Sequence, residues 1–110
     1  MSVEIEYVSA ESFAAEVRRT KEPILLDFTA DWCAPCEAME PVIEQIGQEY
    51  AGRLRVLKVD LDECAEIAAQ FEVWSIPTLI FLSNGKQKHR LGGPRNYRQL
   101  VQEIEKILNQ

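Results

Sequence analysis

The chain has 110 residues, 46% hydrophobic and 27% charged, with 12 Lys plus Arg against 18 Asp plus Glu and a net charge of −6. That length makes one domain, residues 1–110, large enough to bury a core without cross-links. The acidic balance argues against non-specific nucleic-acid binding and against anionic membranes, and no apolar run approaches a membrane span.

The opening MSVEIEYVSAESF has neither the basic nor the apolar region of a secretion signal. Val3 to Tyr7 alternates apolar and acidic residues, as a half-buried strand does. Ser9 is placed to cap a short helix whose apolar side is Ala10, Phe13, Ala14 and Val17. Pro23 opens the run Ile24 to Phe28, continuous enough for a central strand buried on both faces. Met39, Val42, Ile43, Ile46 and Tyr50 then recur at helical spacing, with Pro41 inside denying the Glu37 carbonyl its partner and predicting a kink. Leu54 to Leu61 reads as a third strand, and Asp62 is expected to cap a helix with the apolar face Cys64, Ile67, Ala68 and Phe71.

Pro77 to Leu82 is strand-like, and Asn84-Gly85 turns the chain into a polar edge strand, Gln87 to Leu91. Asn96 with Gln99 forms a capping box for a final helix whose face is Tyr97, Leu100, Val101, Ile104, Ile107 and Leu108. The order β-α-β-α-β-α-β-β-α predicts a three-layer α/β/α domain around a mixed five-stranded sheet. Strands separated by helices imply parallel crossovers, and the late hairpin adds an antiparallel pair.

Two features in LLDFTADWCAPC carry chemistry. Cys33-Ala34-Pro35-Cys36 lies where a buried strand meets a helix, and C-x-x-C beside a βαβ pattern is a redox motif. Free N–H groups and the positive dipole end at a helix start stabilise a thiolate, so Cys33 is the expected exposed attacker and Cys36 the resolving thiol. Asp27 is a carboxylate inside the buried strand; such a group keeps a raised pKa or finds a partner. A raised pKa would let it take the proton of Cys36, whereas the alternative is a carboxylate capping a backbone group. Three cysteines, an odd number, make no disulfide framework, so the close pair reads as chemistry in a cytoplasmic setting.

The combination D-F-x-A-x-W-C-x-P-C, the K-V-D-x-D strand end, S-I-P-T and the N-G-K hairpin resembles the thioredoxin family over almost the whole chain. The resemblance implies a thioredoxin fold and protein-disulfide reduction through a redox-active Cys33–Cys36 disulfide. It places Trp32 over the site, Asp27 as buried acid/base, and Lys58 as the charge near Asp27. It makes Ile76-Pro77 a cis peptide facing the disulfide, where the Ile76 backbone pairs with a substrate peptide. Gly92 leaves room for a substrate backbone, with Pro35 on the same substrate-facing surface. Trp32 and Trp74 flank the two site loops and read as part of that surface, the alternative being ordinary partly buried aromatics. The implied partners are protein disulfides and a separate thioredoxin reductase. No G-x-G-x-x-G or phosphate loop is present, so no cofactor is expected, and a monomer is anticipated.

The chain departs from the family pattern in four places. Ala34 replaces a glycine, Glu37 stands where Lys or Arg is common, Thr29 where a second Trp is frequent, and Trp74 where a polar or basic residue is common. The absence of histidine between the cysteines points to the reducing end of the family. Two alternatives to a reductase are a redox-gated binding module and a more oxidising oxidase or isomerase. Cys64 reads as a packed small hydrophobe, with a regulatory thiol as the alternative. A zinc set of Cys33, Cys36, Cys64 and His89 has spacings unlike those of zinc fingers or ribbons, so no metal is expected.

Overall fold

The computed structural model describes residues 5–109. The chain runs β1 (Glu6–Tyr7), α1 (Phe13–Arg19), β2 (Ile24–Thr29), α2 (Ala34–Glu49), β3 (Arg55–Asp60), α3 (Ala65–Gln70), β4 (Thr78–Ser83), β5 (Lys86–Gly92) and α4 (Tyr97–Leu108). The described residues form one five-stranded sheet in the order β1-β3-β2-β4-β5. Strand β3 runs parallel to β1 and β2, whereas β4 runs antiparallel to both β2 and β5. This is the mixed α/β arrangement of the thioredoxin fold.

Alternation along the central strand builds both cores. Ile24, Leu26 and Phe28 pack with Phe13, Ile67, Ala68 and Ile80 on the α1/α3 side. Leu25 packs with Met39, Ile43, Phe81, Leu100 and Ile104 on the α2/α4 side. Asp27, two residues on from Leu25, therefore shares the α2/α4 face. The Asn84-Gly85 turn has both residues at positive φ, 53° and 77°, as a tight hairpin requires. Asn96 and Gln99 make the reciprocal capping box of α4. Helix α2 continues through Pro41 to Glu49.

Four expectations are corrected. Helix α1 starts at Phe13, with Ser12 at the N-cap position but making no side-chain cap bond, because Ser9 and Ser12 exchange side-chain-to-backbone hydrogen bonds and fold residues 9–12 into a turn. Ala10 and Ala14 are consequently exposed, and Glu16 is buried instead. Asp62 does not cap α3: Cys64 occupies that position, and Asp60 Oδ1 accepts from the amides of Asp62 and Glu63. The connection through α3 is not a parallel crossover. Strand β4 runs antiparallel to β2 and therefore to β3, so the chain enters β4 reversed. The first strand, anticipated over Val3 to Tyr7, is Glu6–Tyr7, with residues 3 and 4 outside the described part.

Candidate active site

The site lies where β2 gives way to α2. The amide of Cys33 donates to the Ala30 carbonyl at 3.1 Å, turning the chain so that Cys33 becomes the N-cap of α2 with φ −96° and ψ 101°. Ala34 and Pro35 follow as the first helical residues, where a proline's missing N–H is harmless. Cys33 and Cys36 are disulfide-bonded, with Cα atoms 5.3 Å apart. The Cys36 N–H also donates to Cys33 Sγ across 3.2 Å, which makes that sulfur the acceptor for a helix-start amide.

Both cysteines are buried, at 5% and 4% exposure, whereas the sequence points to an exposed Cys33. The reason is packing: Ala30, Leu61 and Ile76 close around the pair. What distinguishes the two is hydrogen bonding and helix position.

Two large aromatic side chains stand open to solvent. Trp32 is 65% exposed and Trp74 79%. The Trp32 indole is held by a hydrogen bond from Nε1 to Asp62 Oδ2 at 2.9 Å. Pro35 is exposed, Ile76 half-buried and Pro77 buried, and the Ile76–Pro77 peptide is cis. The Pro77 carbonyl accepts from the Gly93 amide at 2.9 Å. At Gly92 an added Cβ would meet nothing within 4 Å, so the missing side chain leaves space outside the molecule.

Asp27 on β2 is in register with Lys58 on β3 and Leu79 on β4. Burial pushes its carboxyl pKa up to about 6, opposed by the Lys58 charge and reinforced by that of Glu40. The Lys58 ammonium donates to Glu40 Oε1 at 3.0 Å and sits 5.1 Å from the Tyr7 ring centre. Burial works against that ammonium, but Glu40, Tyr7 and Asp27 together carry its pKa above the ordinary value. Glu40 was not singled out from sequence, although the i,i+4 spacing from Cys36 puts both on one side of α2.

The sequence pattern of the family described as Thioredoxin matches residues 4–106. The chain belongs to the thioredoxin family. It is 39% identical to the thioredoxin of Acidithiobacillus ferridurans, covering 98% of this chain and 100% of that one. It is 40% identical to the thioredoxin of Mycobacterium bovis, over 92% of this chain and 87% of that one. It is 37% identical to a chloroplastic M-type thioredoxin of Spinacia oleracea, over 96% of this chain but 59% of the relative. The protein is accordingly a thiol–disulfide oxidoreductase, and Cys33–Cys36 is its redox-active disulfide.

Within this thioredoxin scaffold Cys64 stands apart. It is buried in the α1/α3 core, and its thiol donates to the Val8 carbonyl at 3.5 Å. Burial, then the charges of Asp60, Glu63 and Glu11, push its pKa up, which keeps it a neutral packed thiol. His89 pairs with Glu103 at 3.4 Å on the β5 edge, and among the described residues no group of three or more His, Cys, Asp or Glu side chains is placed to hold a metal ion. Among the described residues no helix is long and apolar enough to cross a membrane.

Proposed function

We propose that this thioredoxin-family chain is a general protein-disulfide reductase of the cytoplasm, with Cys33 attacking, Cys36 resolving and a separate thioredoxin reductase restoring the dithiol. The observation that carries this reading is the Cys36 amide aimed at Cys33 Sγ at the start of a 16-residue helix. A sulfur placed there holds negative charge better than an ordinary thiol.

The Cys33 thiolate attacks one sulfur of a substrate disulfide, and the other substrate sulfur leaves as a thiolate. Cys36 then gives its proton to Asp27, and the new thiolate attacks Cys33 Sγ. The Cys33–Cys36 disulfide forms, and the second substrate sulfur leaves as a thiolate. Two electrons pass to the substrate, whose thiolates take up protons from Asp27 and solvent. Lys58 is the charge that tempers the proton affinity of Asp27. Trp32, Pro35, Trp74, Ile76, Pro77 and Gly92 form the surface on which an extended substrate lies, supported by the exposure of both indoles and the open space at Gly92.

Trapping tests the assignment. Cys36→Ser should accumulate mixed disulfides on Cys33 and Cys33→Ser should accumulate none; the reverse pattern overturns it. Catalytic reduction of insulin by excess dithiol separates a reductase from a binding module, which would dock partners without turnover.

A further inference from the structure

The Lys58 side chain is committed to an unexpected partner. Asp27 and Lys58 face each other across parallel strands, yet the ammonium bonds to Glu40, one turn beyond Cys36 on α2. The Lys58 side chain is almost wholly buried, whereas that of Glu40 is 41% exposed. Glu40 also lines a surface groove of about 290 Å³ with Tyr7, Thr29, Ala30, Asp31 and Glu37. The Glu40 carboxylate thus links a buried cation to a solvated groove.

The charged groups acting on Asp27 are few. Lys58 comes from β3 and Glu40 from α2. Strand β4, its other neighbour in the sheet, has no titratable side chain, and Tyr7 of β1 acts on Lys58 rather than on Asp27. Helix α4 supplies no group that acts on Asp27. Cys36, also from α2, is held in the disulfide in this state.

We propose that Glu40 is a positioning residue for the resolving step: it holds the Lys58 ammonium on its own carboxylate and thereby sets how readily Asp27 binds a proton. Two effects of its charge act in the same direction. Glu40 repels the ionised form of Asp27 directly, and it keeps the neutralising cation from moving onto Asp27. Replacing it with a neutral amide removes the repulsion and frees the cation, so Asp27 becomes both a stronger acid and a weaker base. The inference rests on Asp27 being the proton acceptor for Cys36.

The test follows two readouts in the reduced protein: an NMR pH titration with carboxyl-¹³C aspartate, and the pH profile of mixed-disulfide resolution in single turnover. Glu40→Gln should lower the Asp27 midpoint and the acid limb of resolution together, by roughly one pH unit. Glu40→Asp, which keeps the charge, should recover most of that shift. In a Lys58→Met background Glu40→Gln should shift the midpoint much less, because only direct repulsion is left. An unmoved NMR midpoint in a folded Glu40→Gln protein overturns the inference, as does an equal shift with and without Lys58. The underlying reading fails separately: if the acid limb persists in Asp27→Asn, Asp27 is not the acceptor, whatever Glu40 does to its titration.

Discussion

The backbone amide of Cys36 and the sulfur of Cys33 are donor and acceptor to one another, 3.2 Å apart, as well as partners in the disulfide. Reduction breaks the S–S bond but leaves the N–H at the helix start. The interaction therefore favours a thiolate at Cys33.

Alkylation of the reduced protein with iodoacetamide should modify Cys33 first. A thiol with an ordinary pKa near 8.5 is only a few per cent ionised at pH 7, so lowering it toward neutrality raises the reactive fraction about tenfold. Peptide mapping after brief labelling reads the order directly. Preferential labelling of Cys36 would contradict the asymmetry.

Cys64→Ser should cost about 1 kcal/mol or less and leave insulin reduction unchanged. The serine hydroxyl keeps a partner in the Val8 carbonyl, which the thiol already reaches, and serine suits a helix N-cap. Folded protein should resist alkylation at Cys64 at pH 8, because burial and three nearby carboxylates disfavour the thiolate. Activity lost in a folded variant would point to a regulatory thiol.

Arg55→Met should destabilise the fold by roughly 1–3 kcal/mol. Arg55 meets Glu16 Oε2 at 2.6 Å as an ion pair without hydrogen-bond alignment, and it also reaches Glu6 and Thr20. Removing it leaves Glu16, whose side chain is 11% exposed, with Arg19 as its remaining cation. Urea midpoints at constant m-value measure the loss, and adding Glu16→Gln should recover part of it. Strict additivity of the two substitutions would show that the contact carries no coupling.

These cases separate what the sequence makes legible from what it hides. Apart from Asp27, the run Ile24 to Phe28 is apolar at every position because both sheet faces are covered, and Asn84-Gly85 can hardly do anything but turn. Glu16 is different: its burial depends on Arg55, contributed by a strand far along the chain, so a helical pattern read alone leaves it in solvent. Asp62 likewise looks like a cap until Trp32 claims its carboxylate. At the site, the cysteines and Asp27 are legible as a local cluster. Glu40 is not, because its importance comes from which side of Lys58 it occupies once β3 lies beside β2. The reversed entry of β4 is hidden as well, since helix spacing in sequence does not state which way the next strand runs.

Asp27 makes the stability of the fold depend on pH. Its carboxyl ionises near 3.8 when unperturbed and at about 6 in the fold, chiefly through burial. Because the folded pKa is the higher one, the native state binds this proton more tightly than the unfolded chain. Its stabilising contribution is therefore complete below pH 4, falls as pH rises through about 6, and stays lost above that. A difference of about two pH units corresponds to about 3 kcal/mol of destabilisation at neutral pH relative to a neutral side chain. Asp27→Ala should thus be more stable than the parent at pH 7.5, less whatever the small cavity costs, and should not show this fall between pH 4 and 6. Denaturant midpoints across that window measure both effects. The same variant should form mixed disulfides at a nearly parental rate in the Cys36→Ser background, yet resolve them slowly when Cys36 is present, because the thiol has lost its proton acceptor. If Asp27→Ala is instead destabilised at neutral pH and resolves mixed disulfides at the parental rate, the carboxyl is a structural group and the proton-transfer role is wrong.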